Sequence, residues 1–392
     1  MRENNLLMIS WDPSAASEPT NSAVRGEVRT RLQAYGKHLG NLHMITYTPD
    51  EETYAERVLS KNVFVHPTRC SRLSFLITAY RIGRNLLTAK GADIITCQDP
   101  LFCGLVGYLL GKRFGIPVVM DVHGDFIDNP YWLAELWRYR VYNLLAKFLI
   151  RRADAVRVDS SKIEEQMYRQ FGRTKDSVFR VPVFADTSRF GQGDGVEIRE
   201  KYHDYDFIVL FVGRMVESKN IPNLLDAVPS VLEQHPRTLF LLVGSGPLKD
   251  EWELRARKNG LGDNVVFTDH VPDVAPFFDA CDLFVMPTNY EGRAIVLVEA
   301  LASGKPVVST DVSGARDTIM EGKSGHIVPI KDPLALAEAI NNLLEDPERM
   351  RAMGMFGRED ILRTQDLDAN AERVVDIYRT LAARCKNVSN TD

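Results

Sequence analysis

Residues 207–220 read FIVLFVGRMVESKN, and residues 283–300 read LFVMPTNYEGRAIVLVEA. Each begins with a short apolar strand and passes through a glycine-bearing polar loop. In the second, a helix then begins near Arg293. The same alternation extends in both directions. In the second half, strands are expected at 207–212, 238–243, 265–267, 283–286 and 306–309. In the first half they are expected at 6–10, 43–47, 94–97, 117–121 and 155–159. Helical stretches separate them, including 105–114, a long one at 136–151 and an amphipathic one at 371–383, with Val374, Val375, Ile377, Tyr378 and Leu381 at helical spacing. Ser161-Lys162-Ile163-Glu164 has the form of a capping box, and Ser313-Gly314-Ala315-Arg316 is expected to begin a further helix. Strands alternating with helices imply parallel sheets covered by helices on both faces. The turn-rich stretch 184–195 divides two similar α/β halves and reads as the linker.

The totals agree with two domains. A chain of 392 residues exceeds what one hydrophobic core usually supports. Its 45% hydrophobic and 26% charged residues are those of an ordinary globular protein. A formal net charge of −5 gives no global basic field, so nucleic acid is not expected as a partner. The five cysteines (70, 97, 103, 281 and 385) form no CxxC pair, which suits buried thiols in a reducing, cytoplasmic setting. The start, MRENNLLMIS, lacks a secretory pattern, and the longest apolar run, 101–111, is too short to span a bilayer. A soluble or peripheral protein is expected, in which the Asn387-Val388-Ser389 sequon carries no meaning.

Three segments carry candidate chemistry. Glu291 and Gly292 sit in a loop beside a helix N-terminus, where the amides from about Arg293 through Ala294 and Ile295 to Val296 suit a phosphate or sugar hydroxyl. Glu299 lies about two turns along, and a carboxylate there can accept both hydroxyls of a ribose. The plainer reading makes Glu299 a solvated helix residue and Glu291 a partner of the helix dipole. In the second segment Gly213 lets backbone approach a ligand, and Arg214 and Lys219 supply two cations for a diphosphate. The plainer reading is a surface ion pair with Glu217. In the third, Val119-Met120-Asp121-Val122-His123-Gly124-Asp125, His123 follows the carboxyl end of a strand, where ligands of such sheets bind; it also reads as a structural histidine, with Asp121 orienting the loop. Gly244-Ser245-Gly246-Pro247 is half of a GxGxxG pattern and reads as a tight turn, a weak nicotinamide signature.

In this order the three pieces resemble the family 4 glycosyltransferases of the GT-B fold. The likeness runs from Phe211 to about Leu344 through Gly213-Arg214…Lys219, Val243 to Leu248, Val271-Pro272, Glu291-x7-Glu299, Glu299 to Val307, Asp311 to Gly314 and Gly325 to Val328. It is looser in the first half, through His123-Gly124 and residues 153–160. The resemblance implies an α/β protein of two Rossmann-like doubly wound domains with an interdomain cleft. Residues 1–186 would bind the acceptor and 187–370 the donor, with the C-terminal helix, 371–392, packing back on the first. Arg214 and Lys219 would hold the donor diphosphate, and Glu299 the ribose. Glu291 and the amides of residues 293–295 would grip the sugar, His123 would reach it from the other domain, and backbone around Val271 would contact the base. Closure of the domains is implied. The reaction implied is retaining hexosyl transfer by front-face attack, from a UDP- or GDP-linked sugar, with no metal and no cofactor beyond that donor. Asp204-Tyr205-Asp206 is a chance match to the metal-binding motif of the other glycosyltransferase fold.

The sequence departs from the family in two places. The loop after the first strand, Trp11-Asp12-Pro13-Ser14-Ala15-Ala16-Ser17-Glu18-Pro19, has no glycine. Arg293-Ala294 replaces an aromatic or apolar residue followed by Gly or Pro, a cation that would favour an acidic or polar donor sugar. The acceptor implied is a saccharide or lipid-linked saccharide of surface polysaccharide or glycolipid synthesis. Trp132, Trp137, Arg138, Arg140, Tyr142, Lys147, Phe148, Arg151 and Arg152 make the long helix aromatic and basic, either a core helix with a solvated basic face or a peripheral contact with the inner face of the cell membrane. Rival readings are a sugar-nucleotide epimerase of the same fold, a non-catalytic nucleotide-sugar-binding subunit and, remotely, a nicotinamide dehydrogenase.

Overall fold

The apolar runs form the strands of two sheets in the computed structural model, which describes residues 4–16, 26–51, 54, 56–182, 184–292 and 294–388. The chain divides into two compact units. Met1–Asp128, Leu136–Phe184 and Asp366–Asp392 make the first; Asn129–Glu135 and Ala185–Gln365 make the second.

The first unit holds β1 (Leu6–Ser10), β2 (Leu42–Thr46), β3 (Arg57–Ser60), β4 (Val63–Pro67), β5 (Ile94–Cys97), β6 (Val118–Val122), β7 (Ala155–Val158) and β8 (Val178–Arg180). They lie in the order β3-β4-β2-β1-β5-β6-β7-β8, parallel except where β3 meets β4. β1 is buried along its whole length because both faces are covered. Leu7 and Ile9 pack on one core, and Leu6 and Met8 on the other. That second core also takes Ala371, Val374, Val375, Tyr378 and Leu381 of the C-terminal helix, Leu367–Val388.

The second unit holds β9 (Phe207–Val212), β10 (Thr238–Val243), β11 (Val265–Thr268), β12 (Leu283–Met286), β13 (Val307–Thr310) and β14 (Gly325–Val328), all parallel, in the order β11-β10-β9-β12-β13-β14. Numbered within the unit this is 3-2-1-4-5-6, the doubly wound order of dinucleotide-binding sheets. The first unit has the same order once its antiparallel edge β3 and its last strand β8 are set aside. The order reverses between β1 and β5 in one unit and between β9 and β12 in the other, and loops diverging at such a point leave a crevice for a ligand.

Several sequence expectations need correction. β3, β4, β8 and β14 were not anticipated: the first two pair at a sheet edge, β8 has three residues, and β14 opens with a glycine. A Cβ on Gly325 would lie 2.1 Å from the Val307 carbonyl oxygen, so the residue that weakens the strand signal is the one its packing requires. The long helix is shorter than expected, Arg138–Ile150, and a separate helix, Pro130–Glu135, precedes it. Ser160, not Ser161, is the N-cap of Ser161–Phe171; its backbone is extended and its side chain accepts from the Ile163 amide. Glu164 turns instead to Tyr168 and Arg180. Ser313 to Arg316 leads only into a single turn, Ala315–Thr318. The polar stretch after Phe184 is not a bare tether. Ala185 and Phe190 are buried, and the Gly191, Gly193 and Asp194 amides donate to Asp279. Among the described residues, no helix is long and apolar enough to cross a membrane.

Candidate active site

In the second unit the loops after β9 and β12 are fastened to each other at the switch point. The Asn289 amide donates to the Ser218 carbonyl at 2.8 Å, and Asn220 Nδ2 donates to the Pro287 carbonyl at 3.3 Å. These bonds bring Lys219, in the turn Glu217–Lys219, onto Glu291, whose side chain accepts from Lys219 Nζ. Both are half-buried, where an ion pair is screened less than at the surface. Glu291 Oε1 also accepts from the Gly292 amide. Among the described residues, no ion pair joins Glu217 to Arg214 or Lys219, although the sequence allowed one. Arg214 instead stands exposed, with no ion pair among the described residues.

The glycines here are steric requirements. A Cβ on Gly213 would come 2.9 Å from the Phe211 ring, and one on Gly244 would come 2.0 Å from the Gly213 carbonyl oxygen. Gly244, at φ +142, and the following Gly246 are therefore packing residues that let the loop after β10 lie against the Gly213–Met215 backbone.

After Gly292 comes Arg293, which lies outside the described residues, and then Ala294, the N-cap of the helix Ile295–Ala302. The helix starts two residues later than the sequence suggested. Its Leu297 amide donates to the Ala294 carbonyl, which leaves Ile295 and Val296, among the described residues, as first-turn amides without a partner inside the helix. Glu299 is half-buried on this helix. Asn289 is buried, yet its Oδ1 has no hydrogen-bond partner among the described residues. Such an orphan acceptor costs about 1–3 kcal/mol unless a ligand or water completes it. Val271 follows the edge strand β11 and packs on the second unit's core. No hydrogen bond among the described residues ties it to the Lys219–Glu291 pair.

His123, in the first unit, leaves the end of β6 with 27% of its side chain exposed. Its Nδ1 is 2.8 Å from Asp159 Oδ2, and its Nε2 is 3.6 Å from Asp121 Oδ2. Asp121 also accepts from Gln98 Nε2 at 2.6 Å and pairs with the buried Arg157 at 2.8 Å. Burial opposes a charge on His123, but the Asp159 carboxylate and the hydrogen bonds to Asp121 and Asp159 outweigh it and Arg157, pushing its pKa up to about 9. The ring is an imidazolium at neutral pH, a donor rather than a base. Asp159 and Arg157 were not singled out from the sequence; a charged residue inside a wholly buried strand, Ala155–Val158, was the available signal.

His123, Ser10, Trp11, Asp12, Arg31, Gln98 and Asp99 line a cavity of about 340 Å³ at the first unit's own switch point. Trp11 stacks on Tyr47 with ring centroids 4.5 Å apart. The glycine-free loop is held by Asp12, which caps the turn Pro13–Ala15; Ser17, Glu18 and Pro19 lie outside the described residues. Burial lifts the Asp99 carboxyl above its usual range, although the amides of Leu101 and Cys103 donate to it.

Two family patterns divide the chain similarly. "Glycosyl transferase 4-like domain" matches residues 26–183, and "Glycosyl transferases group 1" matches residues 197–360. The phosphatidyl-myo-inositol mannosyltransferase of Mycobacterium leprae is 35% identical over 322 residues, 80% of this chain and 80% of that protein. The chain belongs to glycosyltransferase family 4. A second relative of this family 4 glycosyltransferase is the GDP-mannose-dependent alpha-(1-6)-phosphatidylinositol monomannoside mannosyltransferase of Mycolicibacterium smegmatis, 28% identical over 85% of this chain and 90% of that one. Among solved structures, sucrose-phosphate synthase from Thermosynechococcus elongatus superposes with a TM-score of 0.81 at 24% identity, covering 97% of this chain and all of that one. The fold is GT-B, as the two doubly wound sheets require.

Proposed function

We propose that this family 4 enzyme moves a hexosyl group, with retention and without a metal ion, from a UDP- or GDP-sugar to a saccharide or lipid-linked saccharide acceptor. The observation that carries the donor assignment is the fastening of the β9 and β12 loops at the switch point, with Lys219 on Glu291. Lys219 and Arg214, which has no ion pair among the described residues, suit the two phosphates, and Glu299 suits the ribose. Gly292, Glu291, Arg293, Ala294 and the Ile295 amide suit the sugar, and backbone at Val271 the base. In the free enzyme Glu291 compensates the Lys219 charge; a bound diphosphate would replace it as partner.

The acceptor hydroxyl attacks the anomeric carbon on the face from which the nucleotide leaves. The old C–O bond breaks as the new one forms, and the hydroxyl proton passes to the departing phosphate oxygen. Arg214 and Lys219 take up the negative charge that develops there. The cavity beside Trp11 suits an acceptor sugar, offering apolar walls from Met8, Leu32 and Met44 and polar groups on Asp12, Gln98 and Asp99. His123 is assigned as a further catalytic residue. Relatives named for phosphatidylinositol acceptors favour glycolipid or surface polysaccharide synthesis at the inner face of the cell membrane.

The test is a panel of UDP-, GDP- and ADP-sugars, scored by thermal shift and nucleotide release, with Glu299→Ala alongside. Stabilisation by one donor, weakened in the variant, is the expected result. A folded protein indifferent to every donor would overturn the proposal.

A further inference from the structure

The helix Arg138–Ile150 buries Asn143, Ala146, Leu149 and Ile150, yet its other side is not polar. Trp137 is 80% exposed, Val141 55%, Leu144 67% and Phe148 42%. Steps of four, three and four residues set them in one stripe along the helix. The neighbouring helix Phe102–Phe114 extends the patch. Its Tyr108 meets the Phe148 ring edge-on at 6.1 Å, and its Leu109 is exposed as well. Single exposed apolar residues need no explanation, but a contiguous stripe marks a contact surface.

The charges around the stripe say what it contacts. At about 100° per residue, Arg138 and Arg152 flank it on one side and Arg140 and Arg151 on the other. The Arg152 guanidinium lies 3.7 Å from the Phe148 ring centre. Lys112 and Arg113 continue the basic rim on the neighbouring helix. Neither residues 102–114 nor 136–153 contain an Asp or Glu, in a chain whose formal net charge is −5. A second copy docked on this face would set arginine against arginine. An apolar stripe between basic flanks instead matches a helix lying in an anionic bilayer surface.

We infer that the first unit docks on anionic phospholipid through this face, with Trp137, Leu144 and Phe148 entering the headgroup layer and the arginines meeting lipid phosphates. The inference rests on the proposed transfer to a membrane-borne acceptor and assigns the face that meets the lipid. Vesicles of phosphatidylcholine alone, and of phosphatidylcholine mixed with phosphatidylglycerol, are sedimented with the full chain. Binding is expected to the mixed vesicles only, weakening as salt rises. Replacing both Arg138 and Arg152 by serine should weaken it about tenfold. Leu144→Glu with Phe148→Glu should abolish it while leaving the donor-induced thermal shift unchanged, which also shows the variant folded. Brominated lipid should quench the protein's fluorescence, and Trp137→Phe should remove most of that quenching, a check independent of the charged variants. Equal binding to both vesicles, no binding to either, or a wild-type dimer that Leu144→Glu dissociates would overturn the inference. Vesicle binding without any donor response would instead count against the transferase reading alone.

Discussion

His123 stands between two carboxylates, and its pKa of about 9 against an ordinary 6.5 fixes the sign of a pH effect. A group whose pKa rises on folding contributes stability that is complete below about pH 6.5 and is lost as pH rises through about 9. Unfolding free energy measured across that window should fall by about 3 kcal/mol, and His123→Gln should flatten the fall. A wild-type profile as flat as the variant's would contradict the charged imidazolium. Lys219 gives a second expectation. On the proposed mechanism Lys219→Ala would remove a cation from the leaving group, and it strands a half-buried Glu291, so kcat/KM should drop about 10²–10³-fold; single-turnover rates check this, and retention of near-normal turnover would remove Lys219 from the chemistry. Each of these residues was legible in the sequence as a type at a loop position. The pairing of Lys219 with Glu291 was not. Lys219 and Glu291 are 72 residues apart, and only the strand order that seats β9 beside β12 makes them neighbours.

Elements announced themselves where burial is two-sided. Runs such as Phe207–Val212 and Thr238–Val243 are buried on both faces and read as continuous apolar strands, so their bounds agree with the sequence reading residue for residue. The edge strand β3 and its neighbour β4 lack that signal, because only part of each is covered. Helix ends were harder, since a cap depends on backbone angles that composition does not state. Two adjacent serines competed at the helix Ser161–Phe171, and the extended one, Ser160, prevailed. Ser160→Ala should therefore cost about 1 kcal/mol in denaturant unfolding, and more than Ser161→Ala. The Gly244 turn makes a sharper claim. An added Cβ would collide with the Gly213 carbonyl at 2.0 Å on backbone at φ +142, so Gly244→Ala should destabilise the second unit by about 2–4 kcal/mol and, through the adjoining Arg214, weaken the proposed donor binding. A variant as stable as wild type would mean that the loop does not need this approach.

At the scale of the molecule, alternation of strands and helices was enough to read two α/β halves, whereas the ownership of segments is a matter of contacts. Each unit has its own pair of cores on the two sides of its sheet, and the first is assembled from three stretches of chain. Tyr378 of the last stretch is buried in the core that also holds Leu6 and Met8 of β1 and Leu42 and Met44 of β2, with its hydroxyl 3.3 Å from Thr96 Oγ1 of β5. The end of the chain thus completes a core begun at Leu6, while the intervening second unit closes its own cores without it. Truncating a large buried ring costs about 3–5 kcal/mol. With two cores of separate composition, that loss should fall on one unit, which a single two-state midpoint cannot report. Calorimetry of Tyr378→Ala should show the first unit's transition moved to lower temperature, while the second unit's transition remains in place and still rises when the donor sugar nucleotide is added. If both transitions fall together, the two units unfold as one cooperative body, and the stability of the proposed donor site depends on a residue in the other unit's core.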